Sequence, residues 1–163
     1  MYFILVISFL VLQRLSELFV ARRNERWLLQ QGAIEYGQKH YRWIVLMHIC
    51  FISSLIVEYL LRPDPVFYYP LLICYLVLVA AKTWVIASLG RFWNTKIYRV
   101  PGVSAVRRGL YRYIRHPNYA IVVAEILIIP LIFGLYVTAV IFTLLNAIAL
   151  SVRIKEENRV WAE

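Results

Sequence analysis

Residues 120 to 152 form one apolar stretch of more than thirty residues, whereas a hydrocarbon core of ~30 Å needs only about 20 helical residues. Pro130 and Gly134 fall in its middle, where each weakens or ends a helix. The stretch therefore predicts two helices folded back on each other. Three further apolar runs precede it, so the chain reads as an all-α, polytopic integral membrane protein. It has about five transmembrane helices, the last two forming a carboxyl-terminal hairpin. Composition agrees, since 62% of the 163 residues are hydrophobic, too many for a soluble domain of this length. By size, residues 1–163 make a single domain.

The first span covers residues 2 to 20 and is purely apolar only to Leu12, after which Gln13, Arg14, Ser16 and Glu17 appear. Arg14 and Glu17, three apart, can pair on one helix face. A basic leading segment and a small-x-small cleavage site are both lacking, which favours a retained helix over a signal peptide. Ala21 to Gln31 predicts a separate basic, amphipathic helix in the headgroup plane. Gly32 and Gly37 end it, Trp43 to Leu61 makes the second span, and Pro63 and Pro65 turn the chain into a third, Tyr68 to Leu89. Glu58 is expected to snorkel to the interface or pair with Arg62, and Lys82 to snorkel to the near side. Trp84, Trp93, Tyr98 and Tyr113 read as interfacial anchors. Glu125 lies roughly 10 Å into its helix, too deep to snorkel. It predicts a polar partner on a neighbouring helix, Asn146 or Arg14.

The formal charge is +9, but the basic residues sit between apolar runs, as in loops that meet anionic headgroups, which argues against nucleic acid as a partner. Residues 21 to 42 hold five Lys or Arg, residues 90 to 118 hold seven and the tail from Arg153 holds three. Five crossings place all three segments on one face, and the positive-inside rule makes that face cytoplasmic, with the amino terminus outside. Cys50 and Cys74 lie within apolar runs and read as small packing residues. His40, His48 and His116 are too scattered for a zinc set, and no metal is expected.

Chemistry concentrates in Gly109 to Tyr119 (Gly-Leu-Tyr-Arg-Tyr-Ile-Arg-His-Pro-Asn-Tyr), just before the hairpin, and in Arg153 to Glu157 (Arg-Ile-Lys-Glu-Glu), just after it. A hairpin brings the two runs together. Arg153 and Glu157, four apart, share a helix face, and Asn146, seven before Arg153, shares it too. Pro117 suits a helix start and biases His116 towards an extended backbone. Each element also has a plainer account: His116 as a cap or headgroup contact, and Arg153, Lys155 and Arg159 as positive-inside anchors balanced by Glu156 and Glu157. Read as a pocket, these groups suit a zwitterionic, partly aromatic ligand. Residue chemistry alone goes no further.

The run Gly109-x-Tyr111-x-x-x-Arg115-His116-Pro117-Asn118-Tyr119, an apolar hairpin and then Arg153-x-x-Glu156-Glu157 resembles the isoprenylcysteine carboxyl methyltransferase family of membrane enzymes. The motif-bearing resemblance covers about residues 89–160, and the amino-terminal half looks like short bacterial members. The family transfers a methyl group from S-adenosylmethionine to a lipophilic acceptor, with the cofactor held on the cytoplasmic side. By position, the resemblance implies a cofactor site made of Val103, Ser104, Ala105, Val106, Tyr111, His116, Pro117, Asn118, Tyr119 and Glu157. It also implies that Arg153 faces the acceptor; an enol or phenol-like acceptor would besides need a base, His116 or Glu156, so Arg153 and His116 are the expected catalytic residues. The chain has no Gly-x-Gly, so the glycine-rich loop of soluble nucleotide-binding folds is absent.

Val103 and Ser104 stand where animal members carry histidine and threonine, so contacts there are expected through the backbone. Members usually continue past the Glu-Glu run with a segment that helps close the site, whereas this sequence ends at Glu163. The leading expectation is O-methyl transfer to the carboxylate of an isoprenylated cysteine or the hydroxyl of a long-chain lipid such as an alkylpyrone. In a bacterium the enzyme would lie in the cell membrane among lipid partners. Two alternatives stand beside it: amine methylation of a phospholipid headgroup, favoured by an acidic acceptor pocket, and a small non-enzymatic scaffold or transporter subunit.

Overall fold

The computed structural model describes residues 1–163 apart from Pro65, Ala105, Arg107 and Glu163, and omits the side chains of Lys39, His40, Trp161 and Ala162. Pro65, half of the expected turn, and Ala105, an expected cofactor residue, thus lie outside the described residues. Among those residues the order is α1 (Tyr2–Gln30), β1 (Ile34–Tyr36), α2 (Gln38–Leu61), α3 (Tyr69–Leu89), β2 (Ile97–Arg99), α4 (Pro117–Ile132) and α5 (Tyr136–Ala162). Short 3-10 turns occupy Gly90–Phe92 and Gly109–Arg112. The protein is a polytopic membrane protein: α1, α2, α3 and α5 are each long and apolar enough to cross a bilayer. With 16 residues, α4 rises only about 24 Å, less than the ~30 Å core.

The hairpin predicted from the over-long stretch is formed by α4 and α5. Pro130 lies in the last turn of α4, and the chain reverses at Gly134, whose φ is 66°. A side chain at Gly134 would put its Cβ 2.7 Å from Val66 and 2.9 Å from Arg62, so both the backbone and the space require glycine. Arg62 donates to the Gly134 carbonyl, and the Tyr68 amide donates to the Ile132 carbonyl at 2.8 Å. Glu58 is not paired with Arg62. Its carboxylate accepts from the amides of Val137 (3.1 Å) and Thr138 (2.7 Å), which as first-turn groups of α5 have no partner within the helix. The α2–α3 turn and the hairpin tip are thereby tied at one end of the bundle.

The opposite end holds what the sequence did not announce. The expected headgroup helix at Ala21–Gln31 is not separate, because α1 continues through it to Gln30. No breaker interrupts Phe19 to Arg26, and Ala21, Asn24 and Leu28 are buried, so packing holds the extension in line. At about 43 Å, α1 outruns the membrane. Beyond it, β1 pairs antiparallel with β2, matching Ile34 to Arg99, Glu35 to Tyr98 and Tyr36 to Ile97. Gly32 and Gly37, at φ 77° and 68°, bracket β1.

The core gathers one face from every helix, including Leu10 of α1, Leu55 of α2, Tyr75 of α3, Ile129 of α4 and Phe142 of α5. Beside it lies a buried polar cluster. Glu125, fully buried, accepts from Arg14 (2.9 Å), Gln13 (3.0 Å) and Lys82 (2.9 Å). Glu17 takes a second bond from each cation, Arg14 at 3.1 Å and Lys82 at 2.8 Å, and Tyr75 donates to Gln13 at 2.7 Å. Of the two partners expected for Glu125, Arg14 is the one found. Lys82 does not snorkel; it is 2% exposed and turned inward, where two carboxylates offset its desolvation. Two cations and two anions from α1, α3 and α4 close on one another, so no net charge is left in the apolar interior.

Candidate active site

Where α4 begins, His116 is the residue before the helix, with φ −131° and ψ 61°. Pro117 occupies the first helical position, where its missing N–H costs nothing. Tyr119 follows within the first turn and stacks on the His116 ring, centroids 5.2 Å apart and planes at 12°. From the last turns of α5, Glu157 accepts the Tyr119 hydroxyl and lies 3.8 Å from His116 Nδ1. One turn earlier, Arg153 donates from Nε to the Tyr119 oxygen at 2.8 Å and from Nη2 to the Thr95 carbonyl at 2.6 Å. Its guanidinium also lies over the Tyr119 ring, 5.3 Å from the centroid.

These groups line a cavity of about 880 Å³. Of the residues expected from sequence, Val103, Ser104, Val106, Tyr111, His116, Asn118, Tyr119, Arg153 and Glu157 all line it. Pro117 does not; it is buried in the first turn of α4 and acts by placing its neighbours. Glu156 lines a separate narrow cleft with Tyr41, Ile44 and Arg153, which leaves His116 as the base candidate within the main cavity. Asn146, grouped with Arg153 by helical spacing, is buried two turns deeper and does not reach the cavity.

The segment between the Gly90–Phe92 turn and β2 forms another wall. Trp93 and Tyr98, expected as interfacial anchors, are instead wall residues, and Trp93 is only 2% exposed. Tyr98 donates to Glu25 at 2.6 Å and to Glu35 at 3.0 Å, while Lys96 pairs with Glu25 at 2.8 Å and Glu35 at 3.4 Å. Trp84 remains exposed, as an anchor should be, and Tyr113, also exposed, lines the cavity as well. Burial by itself lowers the Lys96 pKa, but its hydrogen bond to Glu25 and the carboxylate charges outweigh this and raise it, so Lys96 stays charged. Burial raises the Tyr98 hydroxyl, with help from both carboxylates. Burial, then the Glu157 charge, raises that of Tyr111. Neither tyrosine is a base at neutral pH.

Among the described residues, His116 Nε2 and Asn118 Oδ1 are buried without a hydrogen-bond partner. Buried polar atoms are ordinarily paired, so the wall, with Trp93 Nε1 also lacking a partner, offers an imidazole nitrogen, an amide oxygen and an indole N–H for a ligand to satisfy. With the aromatic lining and the Glu157 carboxylate, this set fits a nucleoside bearing an amino-acid group: aromatic surface for the base, acceptors for hydroxyls or ammonium, cations for a carboxylate.

Residues 71–163 match the model of the isoprenylcysteine carboxyl methyltransferase (ICMT) family. The uncharacterized protein YpbQ of Bacillus subtilis (strain 168) is 46% identical over 163 residues, covering 99% of this chain and 97% of that protein. An uncharacterized protein of Haemophilus influenzae is 30% identical over 148 residues, covering 88% of this chain and 86% of its own length. No solved structure matches the chain.

Proposed function

Because the chain belongs to the isoprenylcysteine carboxyl methyltransferase family, a family of membrane methyltransferases, we propose that it moves a methyl group from S-adenosylmethionine to an oxygen of a lipophilic acceptor. The acceptor is the carboxylate of an isoprenylated cysteine or the hydroxyl of a long-chain lipid such as an alkylpyrone. One observation carries the reading. Residues from both ends of the hairpin, His116 to Tyr119 less Pro117, and Arg153 with Glu157, wall a single cavity of a size usual for small-molecule sites. The cofactor residues are Val103, Ser104, Val106, Tyr111, His116, Asn118, Tyr119 and Glu157, with Arg153 facing the acceptor. The three basic segments at this end of the bundle support a cytoplasmic placement of the site.

S-adenosylmethionine, when bound, supplies a methyl group on a cationic sulfur with a neutral thioether as leaving group. The protein's part is alignment, which is worth up to about 7–11 kcal/mol when two reactants are held in reactive geometry. Arg153 has Nε and Nη2 fixed by Tyr119 and Thr95, so its plane is set before an acceptor arrives. A carboxylate acceptor is already ionised at neutral pH, and Arg153 only has to orient it. A hydroxyl acceptor must lose its proton. His116, whose Nε2 is buried on the cavity wall without a hydrogen-bond partner, is the group placed to take it.

The lining argues against an amine acceptor. Arg153, read as the acceptor-facing group, is a cation fixed by Tyr119 and Thr95, and an ammonium acceptor beside it is disfavoured. The test is to incubate membranes containing the protein with methyl-labelled S-adenosylmethionine and extract the lipids. Protein-dependent label in an alkali-labile ester or an enol ether is expected. Label confined to phospholipid amines, or no label in the lipid phase, contradicts the reading.

A further inference from the structure

The cavity wall that holds Arg153 is itself held from outside the region that matches the family model. The Thr95 carbonyl, which receives Arg153 Nη2 at 2.6 Å, follows the Gly90–Phe92 turn without a helix or strand to support it. Its backbone is fixed by a reciprocal pair of asparagines. Asn24 of α1, 5% exposed, donates from Nδ2 to the carbonyls of Trp93 (2.7 Å) and Gly90 (3.1 Å). Asn94 donates from its own Nδ2 back to the Ala21 carbonyl of α1 at 2.9 Å. The clasp thus binds both ends of the Gly90–Trp93 turn to one helix turn of α1, immediately before the residue whose carbonyl aims the guanidinium.

On the far side of Thr95 the same region of α1 supplies a second hold, through Glu25 on Lys96 at 2.8 Å. Tyr41 of α2 adds a contact of its hydroxyl with Thr95 Oγ1 at 3.2 Å. The members of this support that come from α1 and α2, Ala21, Asn24, Glu25 and Tyr41, precede residue 71, where the family match begins. An amide bonded to two carbonyls, that of the buried Trp93 and that of Gly90, fixes the direction of both. A displacement of about 1 Å at a positioning group is enough to cost roughly 100-fold in rate.

We infer that Asn24, with its counterpart Asn94, is a positioning residue for methyl transfer: through the Thr95 carbonyl it sets the plane in which Arg153 meets the acceptor. The inference rests on the reading of Arg153 as the acceptor-facing group. Asn24 touches neither cofactor nor acceptor and does not line the cavity, so its influence passes entirely through Arg153.

That route has a signature which a merely structural asparagine lacks. The full-length protein is assayed with labelled S-adenosylmethionine and a membrane lipid extract as acceptor, as wild type, Asn24→Ala, Arg153→Lys and the double variant. Binding of S-adenosylmethionine to each is measured by titration. Asn24→Ala is expected to slow transfer about 10- to 100-fold with cofactor affinity within twofold of wild type. In the Arg153→Lys background, where the bond to Thr95 is already altered, the same change is expected to cost less than threefold. Effects that multiply, or a loss of cofactor affinity equal to the loss of rate, overturn the inference. If Asn24→Ala does not fold, Asn94→Ala breaks the clasp from the other strand of contacts and is judged by the same two criteria. Absence of any transfer by the unaltered protein would instead remove the methyltransferase reading itself.

Discussion

The hydroxyl of Tyr119, in the first turn of α4, donates to the carboxylate of Glu157, 38 residues later near the end of α5. That bond closes the open end of the hairpin, and Arg153 joins it by donating to the same tyrosine oxygen. Tyr119 therefore links a cation and an anion that would otherwise approach each other directly. Tyr119→Phe removes two charge-assisted bonds, each worth about 1.5–3 kcal/mol. Loss of roughly 10- to 100-fold in transfer rate is expected, read from initial rates on membrane preparations. A variant as fast as wild type would show that the link has no part in the chemistry.

Arg153 separates binding from transfer. Arg153→Ala is expected to abolish methyl transfer while cofactor affinity stays within about twofold, since the residues assigned to the cofactor do not include it. Arg153→Lys should recover only a little, because an ammonium cannot reproduce a planar fork already held by Tyr119 and Thr95. Parallel loss of rate and cofactor binding in a titration would contradict the assigned role.

The buried cluster makes a prediction about stability. Glu125 balances Arg14 and Lys82 in an apolar interior, and removing one partner of such a set typically costs about 3–5 kcal/mol. Glu125→Gln should lower the thermal midpoint in detergent sharply. The pair Lys82→Met with Glu125→Met should recover most of that loss, leaving Arg14 with Glu17. If the losses of Lys82→Met and Glu125→Met measured singly simply add in the double variant, the cluster is not one unit.

At the opposite end, Glu58 caps α5 through two amides. Glu58→Ala is expected to destabilise the protein by about 0.5–2 kcal/mol, the range for a lost helix cap, with cofactor affinity unchanged. Denaturant unfolding in mixed micelles checks the first part and titration the second. A fall in cofactor affinity would mean that the tip and the cavity are coupled.

The hairpin and the meeting of its two ends were legible because they depend on local features: Pro130 and Gly134 inside an over-long stretch, and dense chemistry at His116–Tyr119 and Arg153–Glu157. What was hidden depends on which helix faces meet. In a soluble helix, alternation between polar and apolar faces shows the packing side. In these spans both the core side and the lipid side are apolar, so Lys82 looked like a snorkelling residue and Asn146 like part of the pocket. Strands of three residues carry too little pattern to stand out, and their absence from the reading removed the wall formed by Trp93 to Tyr98. One clue was available: Glu25, Glu35 and Lys96 are charges that no apolar stretch needed, and together they hold that wall.

The central claim is that His116 at the start of the hairpin and Glu157 near its end make one cofactor pocket. Isothermal titration of S-adenosylmethionine into the purified protein in lipid nanodiscs tests it most directly, with wild type compared to His116→Ala and Glu157→Ala. The account predicts saturable one-site binding by the wild type, weakened at least about 10-fold in each variant. Wild-type protein that takes up no S-adenosylmethionine, or variants that bind it as tightly as wild type, would contradict it.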